Sequence, residues 1–591
     1  MNFANKLKVL EESLSIDSNF YFSFVKEFRE KIRSLNETDK EKVMKELINE
    51  FFKKGGFKVV RAKYVEDDKG NIFLLKENGE MEFIGYREVW KRRKKFLPPK
   101  RTFTPRYKRT FKNYLGQCGL CSGHLNTTTL LNIIATNSCN LRCWYCFFYP
   151  EKSGYYFWPT LEEILKMVDS ATELNGFPPP VQITGGEPTL RDDLLEIIKS
   201  LKEKGVPHIQ LNTNSLKIAY DFYENPQKTI EYLREWRNTG LNTIYTSFDT
   251  LDKNSPEAFK NYWEMPLALE AYKGAGIKSV VLVPTIHKRN LKEVKNIIKF
   301  AALNKDIIRA VNFQPISFVG FASKQERSKL RVTQDDIIRE LYDLGIEPDD
   351  WFPVSAGANI ADLIASLTGR RDYVRLYNNE KCGMATYVYV DNKNIIPMTR
   401  FIDVDGLLEH ISKLLEGLEN KKFRVIYKFG RKILPKSLAS KFVLKKLKSY
   451  IKRDKLPDGT SLTDLFNRIL SRGDYSSLGE FHRRFLFIGM MHFMDPYNYD
   501  LNRVRRCNIH YGLPDGRVVP FCSFNVFPEI YKTPILFHYR VKNKTTIEKI
   551  KEIERREAER VVRMRKRLKE DLKNSSSLYH KLYRKYYESF I

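Results

Sequence analysis

Three cysteines within eight residues constrain this chain more than any other feature. Cys139, Cys143 and Cys146 form a CxxxCxxC loop directly after the apolar stretch LLNIIAT (130–136). Three thiolates in one short loop can hold three irons of a [4Fe–4S] cube and leave the fourth iron open to another ligand. The competing readings are a zinc loop and three buried, inert cysteines. The setting favours the cube. From 129 to about 320, the segments LLNIIAT, PVQITG, HIQLNTN, TIYTSFD, SVVLVPTI and AVNFQPI alternate with amphipathic stretches at 161–174, 191–204 and 290–303. That alternation is the pattern of βα units on a parallel sheet, so the predicted fold class is α/β.

A second motif lies about 40 residues downstream of the cysteines, where Gly185-Gly186-Glu187-Pro188 follows the apolar run Val181–Thr184. Glycines let a backbone approach a ligand closely, and a glutamate offers acceptors to an ammonium group. Cysteine loop and GGEP together resemble the radical S-adenosylmethionine (SAM) superfamily. The resemblance implies a partial (βα)6-type barrel and SAM chelated to the open iron through its methionyl amino and carboxylate groups. It also implies that Gly185, Gly186, Glu187 and Pro188 lie at the amino group. Further polar residues end successive strands: Asn212, Thr213 and Asn214, then Ser247 and Asp249, then Thr285 and Gln314. In α/β barrels ligand groups collect at such ends, which makes Asn212, Asn214, Ser247 and Asp249 candidate cofactor contacts; the alternative is that they cap the following helices.

Five more cysteines stand outside that loop: Cys118 and Cys121 before the barrel, Cys382 after it, and Cys507 and Cys522 around the hairpin-like NIHYGLPDGRVVPF. Four thiolates saturate a cube, so the five point to at least one auxiliary iron–sulfur cluster, with a four-cysteine zinc site as the alternative. The segments QCGLCSGH, ATNSCNLRCWYCF, VQITGGEPTLRDDL, HIQLNTN, KCGMATYVYVDNKNIIPMTRFIDVDGLLE and MMHFMDPYNYDLNRVRRCNIHYGLPDGRVVPFCSFN resemble the archaeal tetraether lipid synthase family. This resemblance implies carbon–carbon bond formation between isoprenoid chains of ether lipids: coupling, cross-linking or macrocycle closure. The sequence departs from the family where a rubredoxin-like ribbon would carry paired cysteines, because residues 51–83 contain none.

The expected organisation is N-terminal helices (1–50), a degenerate ribbon and linker (51–128), the barrel (129–325), its completion (326–425), a basic helical insertion (426–480), an auxiliary cluster region (481–530) and basic C-terminal helices (531–591). The chain of 591 residues has 42% hydrophobic residues, which excludes wholesale disorder. Its 102 Lys and Arg against 72 Asp and Glu give +30, a charge that suits an anionic partner or, alternatively, a heat-adapted surface. With no apolar run of the ~18–20 residues needed to span a bilayer, the expectation is a cytoplasmic enzyme. It would be peripheral at the membrane, held there by basic segments at 426–452 and 555–587, with an electron donor such as ferredoxin. Two other enzyme classes stay open, a radical SAM peptide maturase and an RNA-modifying enzyme. The maturases' dense C-terminal cysteines are missing, and so is any RNA-binding module, so nucleic acid is not an expected partner.

Overall fold

A computed structural model of the chain describes residues 7–97, 123–148, 153–320, 325–360, 376–391, 394–419, 448–472 and 475–590. It opens with a four-stranded antiparallel ribbon of β1 (Lys8–Ile16), β2 (Val59–Glu66), β3 (Asn71–Lys76) and β4 (Met81–Tyr86), in that spatial order. The two expected helices are present at Ser18–Arg33 and Glu37–Lys53, but β1 precedes them and pairs with β2, where the sequence reading had placed helix only. The reason is visible in KVLEESLSI. Its fully buried side chains are Ser13, Ser15 and Ile16, while Val9 and Leu14 are exposed, so no apolar alternation marks it as a strand.

The main sheet has thirteen strands, and its centre is a parallel run in chain order: β5 (Leu130–Thr136), β6 (Val181–Gly185), β7 (Ile209–Thr213), β8 (Leu241–Thr246), β9 (Val280–Leu282) and β11 (Ile308–Pro315), with β10 (Thr285–Ile286) paired to β11. This is the six-stranded partial barrel. Within each strand the side chains alternate. Leu131, Ile133, Val181, Ile183, Ile209 and Leu211 are buried, whereas the intervening Asn132, Gln182, Thr184, Gln210 and Asn212 line the barrel's inner cavity.

Both edges of that run are extended from the C-terminal part of the chain. Past two short strands, β12 (Phe352–Pro353) and β14 (Asn394–Pro397), which flank β13 (Gly383–Asp391), the chain lays β15 (Phe485–Met491) parallel to β11. It then places β16 (Ile509–Gly512) parallel to β5, at the opposite edge. β13 pairs antiparallel with β15, and β17 (Val518–Pro520) closes the predicted hairpin with β16. Residues 492–508 therefore run from one edge of the open barrel to the other. They are held on the way by Ser15 and Ser18, whose hydroxyls donate to the Tyr499 and Pro496 carbonyls at 2.7 and 2.8 Å.

The N-terminal ribbon docks through buried charge. Arg331 pairs with Glu82 of β4 at 2.6 Å and with Asp495 of the crossing segment at 2.5 Å. At the C-terminus, helix Lys544–Asp571 and helix Leu578–Tyr587 pack on the barrel helices. Arg560 reaches Asp221 and Glu224 at 2.8 and 2.7 Å, Arg565 reaches Glu264 at 2.7 Å, and Tyr587 stacks on Tyr262. Part of the basic tail's charge is thus spent on the barrel itself. Most of the 426–452 segment, like Cys118 and Cys121, lies outside the described residues. Among the described residues no helix is long and apolar enough to cross a membrane.

Replacing Arg331 with Met leaves Glu82 and Asp495 buried without their shared cation. We expect a loss of about 3–5 kcal/mol in urea unfolding, the cost of breaking a buried ion pair from one side. Restoring that loss by adding Glu82→Gln would assign it to the stranded carboxylates.

Candidate cofactor and substrate site

The GGEP turn and the cysteine loop are bolted together by backbone. Gly186 N–H donates to the Thr136 carbonyl at 2.6 Å and Glu187 N–H to the Ser138 carbonyl at 2.8 Å. Gly185 has φ +132°, and a Cβ on either glycine would collide with those same carbonyls. The glycines are therefore required first for the approach of the two loops. Glu187 completes the brace. Its buried carboxylate accepts from Thr189 N–H and Oγ1, Thr213 Oγ1 and Asn214 N–H at 2.7–3.1 Å, and burial raises its pKa despite those bonds.

Cys139, Cys143 and Cys146 all face one cavity of about 480 Å³ at the C-terminal ends of the parallel strands, within the usual range for small-molecule sites. Burial pushes every one of these thiols up, Cys143 to about 12, and for Cys139 the nearby Glu187 and the other two thiols add to the effect. Among the described residues no three Cys, His, Asp or Glu side chains converge as they would on a single metal ion. A cube takes each thiolate at its own iron corner, so its ligands stand apart around a space. The loop fits that demand. Leu141 N–H and Phe148 N–H already donate to the sulfurs of Cys139 and Cys146 at 3.4 and 3.3 Å, and hydrogen bonds to sulfur are among the groups that tune such clusters.

The other predicted residues divide between the cavity and the loop. Gly185, Gly186, Glu187, Asn212, Thr213, Asn214, Ser247, Thr285 and Gln314 line the cavity. Asn214 also donates to Asn140 at 2.7 Å. Asp249 serves the loop instead: it accepts from Tyr145 OH, takes the Thr285 N–H at 3.0 Å and pairs with Lys260 at 3.4 Å. Pro188 opens the short helical turn after Glu187, outside the lining.

Cys382, Cys507 and Cys522 come together at the crossing segment, close enough that Cys382 raises the pKa of both Cys507 and Cys522, and Cys522 that of Cys507, on top of burial as the chief cause. Arg503 Nε donates to Cys382 Sγ at 3.5 Å, and Met494 N–H to Cys522 Sγ at 3.5 Å. Three of the five auxiliary cysteines are thus gathered where the barrel edges meet.

Sequence reasoning missed several functional neighbours. Lys260 lines the cavity and lowers the Cys143 thiol. Lys532, buried between Phe148 and Asn525, is pushed down by desolvation to about 7. An amide row also crosses the cavity floor: Gln182 donates to Asn132 at 2.9 Å, Gln210 donates to Gln182, and Asn132 donates to the His510 carbonyl at 3.1 Å. The signal for that row was present, as polar residues at every second position inside otherwise apolar strands.

The radical SAM superfamily model matches residues 133–301. The chain is 37% identical over 466 residues to 7,8-dihydro-6-hydroxymethylpterin dimethyltransferase of Methanocaldococcus jannaschii, covering 77% of this chain and 85% of that protein. It is 28% identical over 192 residues to a probable GTP 3',8-cyclase of the same organism, covering 32% of this chain and 59% of the cyclase. A GTP 3',8-cyclase of Limosilactobacillus fermentum is 28% identical over 247 residues, covering 39% and 65%. The first of these corrects the functional expectation. A relative spanning most of the chain is named for methyl transfer to a pterin, which overturns carbon–carbon coupling of isoprenoid chains. The finer resemblance to tetraether lipid synthases is carried by none of these matches. The superfamily motifs that led to it stand.

Two substitutions test the site's construction. Gly186→Ala should separate the GGEP turn from the cysteine loop, so iron and sulfide per chain should fall by the loop cluster's share while the far-ultraviolet circular dichroism is kept. Lys532→Met addresses the buried amine. Between about 7 and the ordinary lysine value near 10.4, the unfolded chain holds a proton that the metal-free fold has lost. Lys532 therefore makes metal-free stability rise with pH across that window, by at most about 1.4 kcal/mol per unit. Denaturant unfolding at several pH values should show that slope reduced in Lys532→Met; equal slopes would refute the assignment.

Proposed function

The chain belongs to the radical SAM superfamily, and from that premise we propose that it methylates a carbon of a pterin-type fused heterocycle bound on the barrel's amide row. The observation that carries this reading is the long match to the pterin dimethyltransferase. SAM and a [4Fe–4S] cluster, the superfamily's cofactors, supply when bound a primary carbon radical able to take hydrogen from an unactivated carbon. The difficult chemistry belongs to them, and the protein positions and excludes water. Cys139, Cys143 and Cys146 would hold the cluster. The backbone of Gly185 and Gly186 and the polar strand ends Asn212, Asn214 and Ser247 would hold SAM.

The cavity supports a heterocycle. The shorter relatives are named for GTP, and guanine shares with pterin a pyrimidine edge of alternating donors and acceptors. Asn132, Gln182 and Gln210 present amides, which offer both kinds of group. In the same lining Leu130, Val281, Phe487, Ile509 and Tyr511 give apolar surface for a flat ring. Each exchange of a ring C–H for C–CH3 would use two SAM molecules: one is cleaved to methionine and 5'-deoxyadenosine, which keeps the ring hydrogen, and the other gives its methyl and leaves as S-adenosylhomocysteine. The balance requires two electrons from outside. A ferredoxin-type donor with an acidic surface fits a chain of net charge +30.

Reconstituted protein, given reductant, SAM and 7,8-dihydro-6-hydroxymethylpterin, should release 5'-deoxyadenosine and a pterin heavier by one or two methylene units in mass spectrometry. Gln182→Leu and Gln210→Leu should raise KM for the pterin at least tenfold with a smaller change in kcat. 5'-Deoxyadenosine formed beside unchanged pterin would reject the substrate and keep the superfamily.

A further inference from the structure

Two glutamates of the helix Lys544–Asp571 are buried, Glu554 and Glu557, and the first meets the cysteine loop. Glu554 is 4% exposed, and its Oε1 accepts from Cys139 N–H at 3.4 Å and from Arg142 Nη2 at 2.9 Å. The same guanidinium donates through Nη1 to the carbonyls of Cys139 at 2.6 Å and Leu141 at 3.0 Å. The first cysteine of the loop is thus gripped on both sides of its backbone by one ion pair, with the acid on its N–H and the base on its C=O.

We propose that Glu554 and Arg142 act as a pair of positioning residues that fix the loop and set the reduction potential of the cluster held by Cys139, Cys143 and Cys146. The proposal rests on those cysteines being the cluster ligands, and it is independent of the substrate.

Three observations carry it. The carboxylate reaches Cys139 from 415 residues away in sequence. Its helix cannot swing freely, because Arg560 and Arg565 anchor it to Asp221, Glu224 and Glu264 further along. A buried carboxylate is also costly without a partner, and here the partner is a residue of the loop itself. The two members carry opposite charges. Removing either one changes the charge beside the cluster by one unit, where low local dielectric makes the change felt strongly.

The test follows from that sign. In potentiometric titration of the reconstituted chain without SAM, Glu554→Gln removes a negative charge beside the cluster, so the cluster should be reduced at a less negative potential than in wild type. Arg142→Met removes a positive charge and should move the potential the opposite way. The double variant, with the two changes opposed, should return toward wild type. Loosening of the loop alone would shift both single variants in one direction. Shifts of the same sign, or none, overturn the proposal. If Glu554→Gln fails to retain iron, Arg142→Met compared with the charge-keeping Arg142→Lys decides: Lys at the wild-type potential and Met below it supports the pair, and equal potentials overturn it. The Cys139/Cys143/Cys146 triple Ala variant separates the two levels. Survival of the titrated signal there refutes the ligand assignment itself.

Discussion

An open parallel sheet has two raw edges, and the way this chain satisfies them decides where everything else goes. Exposed strand edges are unpaired rows of donors and acceptors that must be covered. Here β15 and β16, separated by only a crossing segment, cover opposite edges of the six-stranded run. That segment has to traverse the open side of the barrel. It draws Cys382, Cys507 and Cys522 together as it goes, because Cys382 precedes β13 on one flank while Cys507 and Cys522 bracket β16 and β17 on the other. The auxiliary thiols are neighbours as a consequence of edge closure.

The same geometry makes the site a place of costly burial. Thiols, carboxylates and cations removed from water all pay desolvation, and nearly every one has a specific partner. Asp249 has Tyr145 and Lys260, Glu187 has the threonines and the Asn214 amide, and Glu554 has Arg142. The loop thiols have mainly backbone groups, at Cys139 and Cys146, to offset their burial. Held protonated by burial in the metal-free chain, they give up those protons only to a metal, so cluster assembly and the pairing around the loop are coupled.

Much of this was legible in the sequence. The cysteine spacing, the GGEP turn, the βα alternation and the hairpin at 509–520 each rest on local patterns that survive folding. What stayed hidden has one physical character, dependence on distant partners. β1 is a strand because β2 is beside it, and its own apolar pattern does not say so. Glu554 sits in a helix crowded with charge, where nothing local distinguishes it from the exposed Glu552 and Glu559 that pair with Arg555. The amide row is the exception, being written locally as polar residues at alternate positions in the interiors of otherwise apolar strands. The functional expectation failed differently: the superfamily motifs specify the cofactor and leave the substrate open, and the long match to a pterin dimethyltransferase overturns the lipid reading.

The charge of the C-terminal helices is best understood from both of their faces. Taken as composition, 531–591 is a basic tail that calls for an anionic surface. In the fold, one face of helix Lys544–Asp571 is committed to the barrel: Arg560 and Arg565 pair with its acids, and of the helix's two buried glutamates Glu557 pairs with Arg560 while Glu554 meets the cysteine loop. The other face carries i,i+4 and i,i+3 pairs such as Arg555 with Glu559 and Glu552, an arrangement that stabilises an exposed helix by a few tenths of a kcal/mol per pair. Much of the helix's charge therefore has intramolecular work to do. This helix does not account for the chain's surplus of +30; a field of that sign would speed the encounter with the acidic electron donor proposed above without fixing where the donor sits.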